Sequence, residues 1–338
     1  MILILSTDSD TSTSAVMEWL ITWKIPVIRL NDNDVFRYPV KIYIEDCKIK
    51  FEIQFENRTV SSDEIKVVWF RKFGFFYYYE AFNDIKKNLG LDYYYKVSAE
   101  QRKVLNLMTK ALNDRQWLCH YNAIGLNKFD VLCKAMKANL KIPYSLITNS
   151  KKTLKNDKNL KRKKIISKGS GDLLYINLNE DTLLTTLTCD FTDQIDNIPD
   201  QFFPSLIQEK IEKIFELRIF YLDGDFFSMA IFSQQNKVTE TDFRNYDRDK
   251  PNRWVPYELP DDIRSNLNTL MNDLKLNTGS IDMIYSKQKE YIFLEVNPAG
   301  QFGMVSKPCN YSLEKKVAIF LKNKLPRYEI DTTKETLN

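Results

Sequence analysis

The sequence predicts a mixed α/β (α+β) fold, with an N-terminal α/β domain followed by two strand-rich subdomains. Three features specify it. The apolar run at residues 1–5 ends in a Ser/Thr/Asp cluster and gives way to helical spacing, as a strand feeding a helix does. Amphipathic helix periodicity recurs at 98–118, 127–140, 261–276 and 313–321. Short apolar or alternating runs with turn residues between them lie at 205–211, 216–222, 226–232 and 281–296, and a polar stretch at 190–203 divides the strand-rich halves. With 338 residues, 43% of them hydrophobic and 28% charged, the chain can bury a large core in two or three domains, which excludes a disordered or collagen-like protein.

In chain order, residues 1–5 read as a strand and 14–23 as a helix with Val16, Leu20 and Trp23 on one face. A second strand follows at 26–30, and the alternation over 40–55 predicts a half-buried hairpin. VVWFRKF at 67–73 is a further strand; the aromatic stretches FFYYYEAF and DYYYK after it either flank a substrate groove or fill core. Helix 127–140 carries Phe129, Leu132, Met136 and Leu140 on one stripe and is closed by Pro143. Residues 151–164 read as an exposed basic loop before a strand at 164–167, and GSGDLLYI supplies a turn and another strand. Strands 216–222 and 226–232 are joined by a tight turn at 223–225, residues 236–260 form a polar loop, and the tail beyond Pro326 is frayed. There is no internal repeat.

Formal net charge is +4, but residues 151–168 hold eight Lys and one Arg against one Asp, a local +8 that leaves −4 for the remainder. A charge so localised gives no support to a protein that coats nucleic acid. The five cysteines contain no CxxC pair, as expected of reduced cytosolic thiols, and a single histidine, His120, excludes a multi-histidine metal site. The N-terminal apolar run is too short for a signal peptide or a membrane span, so a soluble cytoplasmic protein is expected.

The chemistry concentrates in SIDMIYSKQKEYIFLEVNPAGQF. With a turn at 286–289, Tyr285 falls opposite Glu290 and Asp282 opposite Phe293; period-two geometry then puts Phe293, Glu295 and Asn297 on the face of Asp282, and Ile281, Met283, Ile292, Leu294 and Val296 on the other. Two carboxylates and an amide oxygen at a strand end make a hard oxygen site suited to Mg²⁺. The same spacing would serve a hairpin with its polar face in water, with Asn297 as a turn residue before Pro298. Lys128 opens a helix, and Lys168 ends a strand before Gly169, Ser170 and Gly171, which resembles a phosphate cradle or else a solvated surface. There is neither a GxxxxGK[ST] loop nor a GxGxxG after the first strand. Arg218 lies among apolar strand residues, where an unpaired guanidinium is costly, so it should meet an anion or a carboxylate such as Glu216; Arg244 lies in the DFR loop near Asp242.

The order of these motifs, Lys128, Lys168 with GSG, QEKI at 208–211, ELR at 216–218, DFR at 242–244, Asp282 and LEVNPAGQ, resembles the ATP-grasp ligases. Within them, VVWFRK, DFR, SID and EVNPAGQF are most similar to graspetide synthetases of the microviridin type and to their grasp-with-spasm subgroup, over about residues 60–322. The resemblance implies a pre-ATP-grasp domain at 1–118, a central subdomain at 119–204, a C-terminal subdomain at 205–326 that clamps the nucleotide with it, and a flexible tail at 327–338. It implies that Lys128 and Lys168 bind ATP phosphates, that Gln208, Glu209 and Ile211 line the adenine hinge, and that Glu216 sits near the ribose. Arg218 and Arg244 would hold the γ-phosphate and the acyl phosphate, and Asp282, Glu295 and Asn297 would ligate Mg²⁺.

The activity so implied is an ATP-dependent peptide maturase acting on a ribosomally made precursor peptide with leader and core. An Asp or Glu side chain becomes an acyl phosphate, and a Ser/Thr hydroxyl or Lys amine closes an ω-ester or ω-amide macrocycle. No nucleic-acid or membrane partner is implied, and relatives imply a homodimer. Two rivals remain: another ATP-grasp carboxylate-amine ligase of the glutathione-synthetase kind, and a non-catalytic module whose 151–168 stretch binds RNA or acidic lipid.

Overall fold

The computed structural model describes residues 1–74, 80–169, 175–177, 183–185, 188–234 and 251–326. They fall into two compact units, Met1–Ile124 with Gln301–Ser306 and the chain from Ser312, and Gly125–Gly300 with Lys307–Tyr311.

In the first unit, β1 (Ile2–Ser6) leads through α1 (Thr11–Thr22) to β2 (Val27–Asn31), α2 (Asp34–Arg37), β3 (Val40–Glu45), β4 (Lys48–Gln54), β5 (Thr59–Ser61), β6 (Val67–Phe70), α3 (Glu80–Ala111) and β7 (Gln116–Leu118). Strands β2-β1-β6-β7 form a parallel sheet. Every residue of β1 and β6 is buried, which is why ILIL of β1 and VVWF of β6 read as unbroken apolar runs: a parallel strand is covered on both faces. Strands β3-β4-β5 form an antiparallel sheet, and Asp46 and Cys47 turn the β3–β4 hairpin with φ of 50° and 59°, the left-handed geometry a two-residue hairpin loop demands. Helix α3 is kinked at Gly90, whose φ of 83° no other residue adopts cheaply.

The second unit contains α4 (Lys128–Lys137), β8 (Ser145–Ser150), α5 (Lys151–Asn156), β9 (Ile165–Lys168), β10 (Tyr175–Asn177), β11 (Leu183–Thr185), β12 (Cys189–Asp190), β13 (Gln201–Glu209), β14 (Lys213–Leu222), β15 (Asp225–Phe232), β16 (Arg253–Tyr257), α6 (Asp261–Asp273), β17 (Thr278–Ser286) and β18 (Tyr291–Asn297). Its two main sheets run β12-β9-β13-β8 and β16-β15-β14-β17-β18, with antiparallel neighbours throughout. Two last helices, α7 (Gly303–Ser306) and α8 (Leu313–Asn323), belong to the first unit, where α8 packs on α1.

Several expectations change. Residues 116–118 are a strand, β7, because Trp117 and Leu118 are buried beside β6, and they do not extend the preceding helix. DYYYK lies on α3 with Tyr93 and Tyr95 mostly exposed, so it fills no core; residues 75–79 of FFYYYEAF lie outside the described residues. On α4 the buried stripe is Val131, Leu132 and Ala135, while Met136 is 59% exposed. The basic segment opens with α5, whose first turn Ser150 caps, and the loop expected at 236–260 contains β16 at the sheet edge. Residues 170–174, 235–250 and 327–338 lie outside the described residues.

Candidate active site

The site grows from the register of three strands in the second unit. On β14 and β17, Arg218 lies opposite Asp282, Glu216 opposite Ile284 and Phe220 opposite Ser280. On β17 and β18, Ser280 lies opposite Asn297 and Asp282 opposite Glu295, whereas Met283 lies opposite Phe293. Asp282 therefore faces Glu295, not Phe293 as the sequence spacing predicts. A β-bulge at Leu294 accounts for the difference: one extra residue on β18 moves Phe293 to the apolar face with Met283 and leaves Glu295 and Asn297 beside Asp282. Phe293, Met283 and Ile281 are fully buried on that apolar face.

The acid face is balanced by cations. Arg218 donates from Nη1 to Oδ2 of Asp282 at 2.5 Å, with both side chains nearly buried, so the partner of Arg218 is Asp282 and not Glu216. Glu216 is instead buried against Lys213 and the Ser233 hydroxyl, which donates to it at 2.9 Å. Lys128 lies 3.3 Å from Oε2 of Glu295 and donates to the Gly169 carbonyl at 3.1 Å, which brings the helix-start lysine to the metal-type carboxylate. Helix α4 starts at Lys128 because the Asn127 side chain accepts from the N–H groups of Phe129 and Asp130, and it stops where Asn139 turns left-handed with φ of 59°. Beyond that stop the chain runs beside β18: the Lys141 carbonyl accepts from Phe293 N–H at 2.8 Å, anchoring the helix of Lys128 to the strand of Glu295.

Lys168 ends β9 opposite Leu206 of β13. Two residues along β13, Gln208 is fully buried; its amide donates to Ser145 at 2.7 Å, while its Oε1 accepts no hydrogen bond. A buried acceptor left in that state is costly unless a ligand supplies the donor. Glu209 accepts from Tyr144 N–H at 3.0 Å and pairs with Lys163. Glu209 and Ile211 line a cavity of about 530 Å³ together with Met136, Ile142 and Ile292, which gives the exposure of Met136 its reason. Arg244 and Asp242 lie outside the described residues.

Asn297 is exposed, and its Oδ1 accepts from Ala299 N–H at 3.1 Å, the turn role weighed above; the second lone pair of that oxygen stays available. Two residues went unnoticed in the sequence. A Cβ on Gly300 would fall 2.4 Å from the Cβ of Ser280, so only glycine lets the NPAG turn close onto β17. Ser280 is the residue it closes on, and the Gly in NPAG was the available signal. No group of three or more His, Cys, Asp or Glu residues forms a metal cluster among the described residues; the candidate set is two carboxylates and an amide oxygen. That set is hard and anionic, and it fits Mg²⁺.

Two antiparallel sheets with this carboxylate pair at a strand end are the fold of an ATP-grasp ligase. Residues 1–125 match the family model described as the MvdD pre-ATP grasp domain. Among solved structures, the chain is similar to a RiPP-associated ATP-grasp ligase of Chryseobacterium gregarium in complex with ADP and a leader and core peptide, at 25% identity and a TM-score of 0.79 over 96% of this chain and 97% of that one. It is similar to macrocyclase MdnC of Microcystis aeruginosa MRC, bound with precursor peptide MdnA, at 25% identity and a TM-score of 0.81 over 96% and 100%. Macrocyclase MdnB of the same organism shares the fold at 21% identity and a TM-score of 0.70 over 95% and 98%. No curated protein matches the chain. The chain thus has the fold of the ATP-grasp ligases, and its resemblance to the graspetide type extends beyond residues 60–322 to nearly its whole length.

Proposed function

We propose that the chain is an ATP-dependent peptide maturase that activates Asp or Glu side chains of a ribosomally made precursor peptide and closes ω-ester or ω-amide macrocycles with Ser, Thr or Lys side chains. The observation that carries this reading is the acid face of β17 and β18, with Asp282 opposite Glu295 and each held by a cation, in a chain similar over 96% of its length to a ligase seen with ADP and a peptide.

ATP would lie with its adenine at Gln208, Glu209 and Ile211, where the orphaned Oε1 of Gln208 accepts from an exocyclic amine. Lys128 and Lys168 would bind its phosphates and Glu216 would orient the ribose side. Asp282, Glu295 and Asn297 would hold Mg²⁺, which supplies charge screening on the γ-phosphate. The peptide carboxylate attacks the γ-phosphorus and displaces ADP; Arg218 and Arg244 hold the charge of the acyl phosphate formed. A hydroxyl or amine of the same peptide then attacks the acyl carbon, phosphate leaves, and a nearby base, for which Asp242 is the candidate, takes the proton. Because both reactants belong to one bound chain, proximity supplies much of the rate. The clamp of subdomains 119–204 and 205–326 on the nucleotide, a homodimer and a cytoplasmic setting belong to the same proposal; no helix among the described residues is long and apolar enough to cross a membrane.

The test is ADP release in the presence of an acid-rich, Thr- or Lys-containing precursor compared with free amino acids, with mass spectrometry for the loss of one water per ring. Stimulation by free amino acids alone would overturn the reading in favour of a glutathione-synthetase-like ligase.

A further inference from the structure

The first unit contains a polar cluster that the ATP chemistry does not use. It lies at the C-terminal ends of β1 and β6, where the parallel sheet changes direction: the chain passes from β1 to β2 on one side and pairs β1 with β6 on the other. Ligands of open parallel sheets bind in the crevice at such a switch point.

At its centre Arg71, 2% exposed, donates from Nε to Oδ2 of Asp10 at 2.9 Å, and the side chain of Asp10 is as buried as its own. The Thr13 hydroxyl donates to the same oxygen at 2.8 Å, Nη2 of Arg71 reaches Oε1 of Gln301 at 3.3 Å, and the guanidinium lies 5.4 Å from the centre of the Phe302 ring. Two groups in this cluster are left wanting. Oδ1 of Asp10 is buried and accepts no hydrogen bond. Lys72, half-buried and set on a left-handed backbone with φ of 59°, has no carboxylate within 4 Å among the described residues. Burial, and then the Arg71 charge beside it, hold its ammonium below the ordinary lysine range. Asp10, whose charge also acts on Lys72, is already paired with Arg71, and Lys72 makes no ion pair of its own among the described residues. A half-buried cation with no direct ion pair among the described residues, beside a buried carboxylate oxygen that accepts no hydrogen bond, is a cost to the fold, and a cost of this kind persists where a ligand repays it.

We propose that this cluster is a recognition site for an acidic side chain of the substrate peptide, with Lys72 binding the carboxylate and Oδ1 of Asp10 accepting from the peptide's backbone N–H. A peptide segment with Asp or Glu carries both missing partners, an anion and a donor, whereas a free inorganic anion carries only the first. The inference rests on the peptide-maturase reading and names how an acid-rich substrate is chosen. Lys72 is a specificity residue, Arg71 and Asp10 are its support, and nothing in this assignment touches the phosphoryl-transfer groups.

The experiment measures binding, so that it fails separately from turnover. A dye-labelled peptide of Thr and Glu and its Thr/Gln counterpart are titrated by fluorescence anisotropy into the full chain and into its Lys72→Met and Lys72→Arg variants, with thermal unfolding as a check on folding. The native chain should prefer the Glu peptide by about tenfold or more, the worth of one partly buried charged hydrogen bond. Lys72→Met should lose that preference and Lys72→Arg should keep it. If Lys72→Met does not fold, Lys72→Gln replaces it with the same expected loss. Undiminished preference in the uncharged variant overturns the site while leaving the peptide-maturase reading intact. Peptide-dependent ADP release that never appears overturns that reading instead. Equal competition by acetate or inorganic phosphate would make this a free-anion site and overturn the peptide assignment.

Discussion

Among the described residues each unit buries one arginine–aspartate pair, and the two differ in what surrounds them. Arg218 and Asp282 are direct register partners on β14 and β17, and the neighbouring Lys128–Glu295 pair brings those four charges to zero. Arg71 and Asp10 sit on loops after β6 and β1, and adjacent Lys72 makes no ion pair among the described residues. A balanced set accepts an anion that arrives with its own cation, as a nucleotide with Mg²⁺ does. An unbalanced one asks for an anion alone. The chemistry of each ligand is thus written in the local charge sum and in the pairing geometry together, not in the arginine itself.

The largest effect should come from breaking the balanced site. Replacing Glu295 and Asn297 together by Ala removes two of the three candidate metal oxygens, and peptide-dependent ADP release should fall by more than about a hundredfold. The melting temperature should change little, because the Lys128–Glu295 pair is partly exposed and such pairs contribute about 1 kcal/mol or less. A double variant that keeps its turnover would remove the metal assignment.

Stability measurements sharpen the contrast between the two pairs. Arg71→Met and Arg218→Met each strand a buried carboxylate and should cost about 3–5 kcal/mol by urea unfolding, with the greater loss at Arg71, whose pair is the more deeply buried. Adding Asp10→Leu or Asp282→Leu to the matching variant should recover most of that loss. Equal losses without recovery would show that neither pair is energetically coupled.

How much of this was legible in the sequence depended on range. The doubly buried strands of the parallel sheet, the 223–225 turn and the helix start at Lys128 are local features, and local propensity shows them. An arginine among apolar strand residues predicted a partner for Arg218, but Asp282 lies 64 residues away and nothing local distinguishes it from Glu216. Arg71 and Asp10, 61 residues apart, gave no sign of each other. The bulge at Leu294 was invisible because FLEV alternates equally well with or without an inserted residue; only pairing with β17 shows which residue is extra. Helical periodicity found the stripe of α4 but not that Met136 faces a cavity.

A smaller effect tests the turn that ends the acid face. Gly300→Ala drives a Cβ into Ser280 and should cost about 1–3 kcal/mol, lowering turnover as Asn297 is displaced with its turn. Ser280→Gly in the same chain opens the space and should restore part of the stability, measured by thermal unfolding. The corresponding loops after β1 and β6 carry no such glycine contact, so the first unit should be unaffected.

The smallest effect concerns the unbalanced unit and its only histidine. His120 follows β7, and its Nδ1 accepts from Asn122 N–H at 3.2 Å, a cap that needs the neutral ring. Burial pushes its pKa below the ordinary histidine value. The sign follows: the folded state prefers the neutral form, so the stabilisation is complete above the unfolded pKa near 6.5 and is lost as pH falls through that value towards the lower folded one. Melting temperature should therefore drop between pH 7 and pH 5 by a few degrees, and His120→Asn, which keeps a side-chain acceptor but cannot be charged, should flatten the drop. If the variant is as acid-sensitive as the native chain, the sensitivity belongs to the carboxylates of the balanced site, and the contrast between the units must be drawn from charge at neutral pH alone.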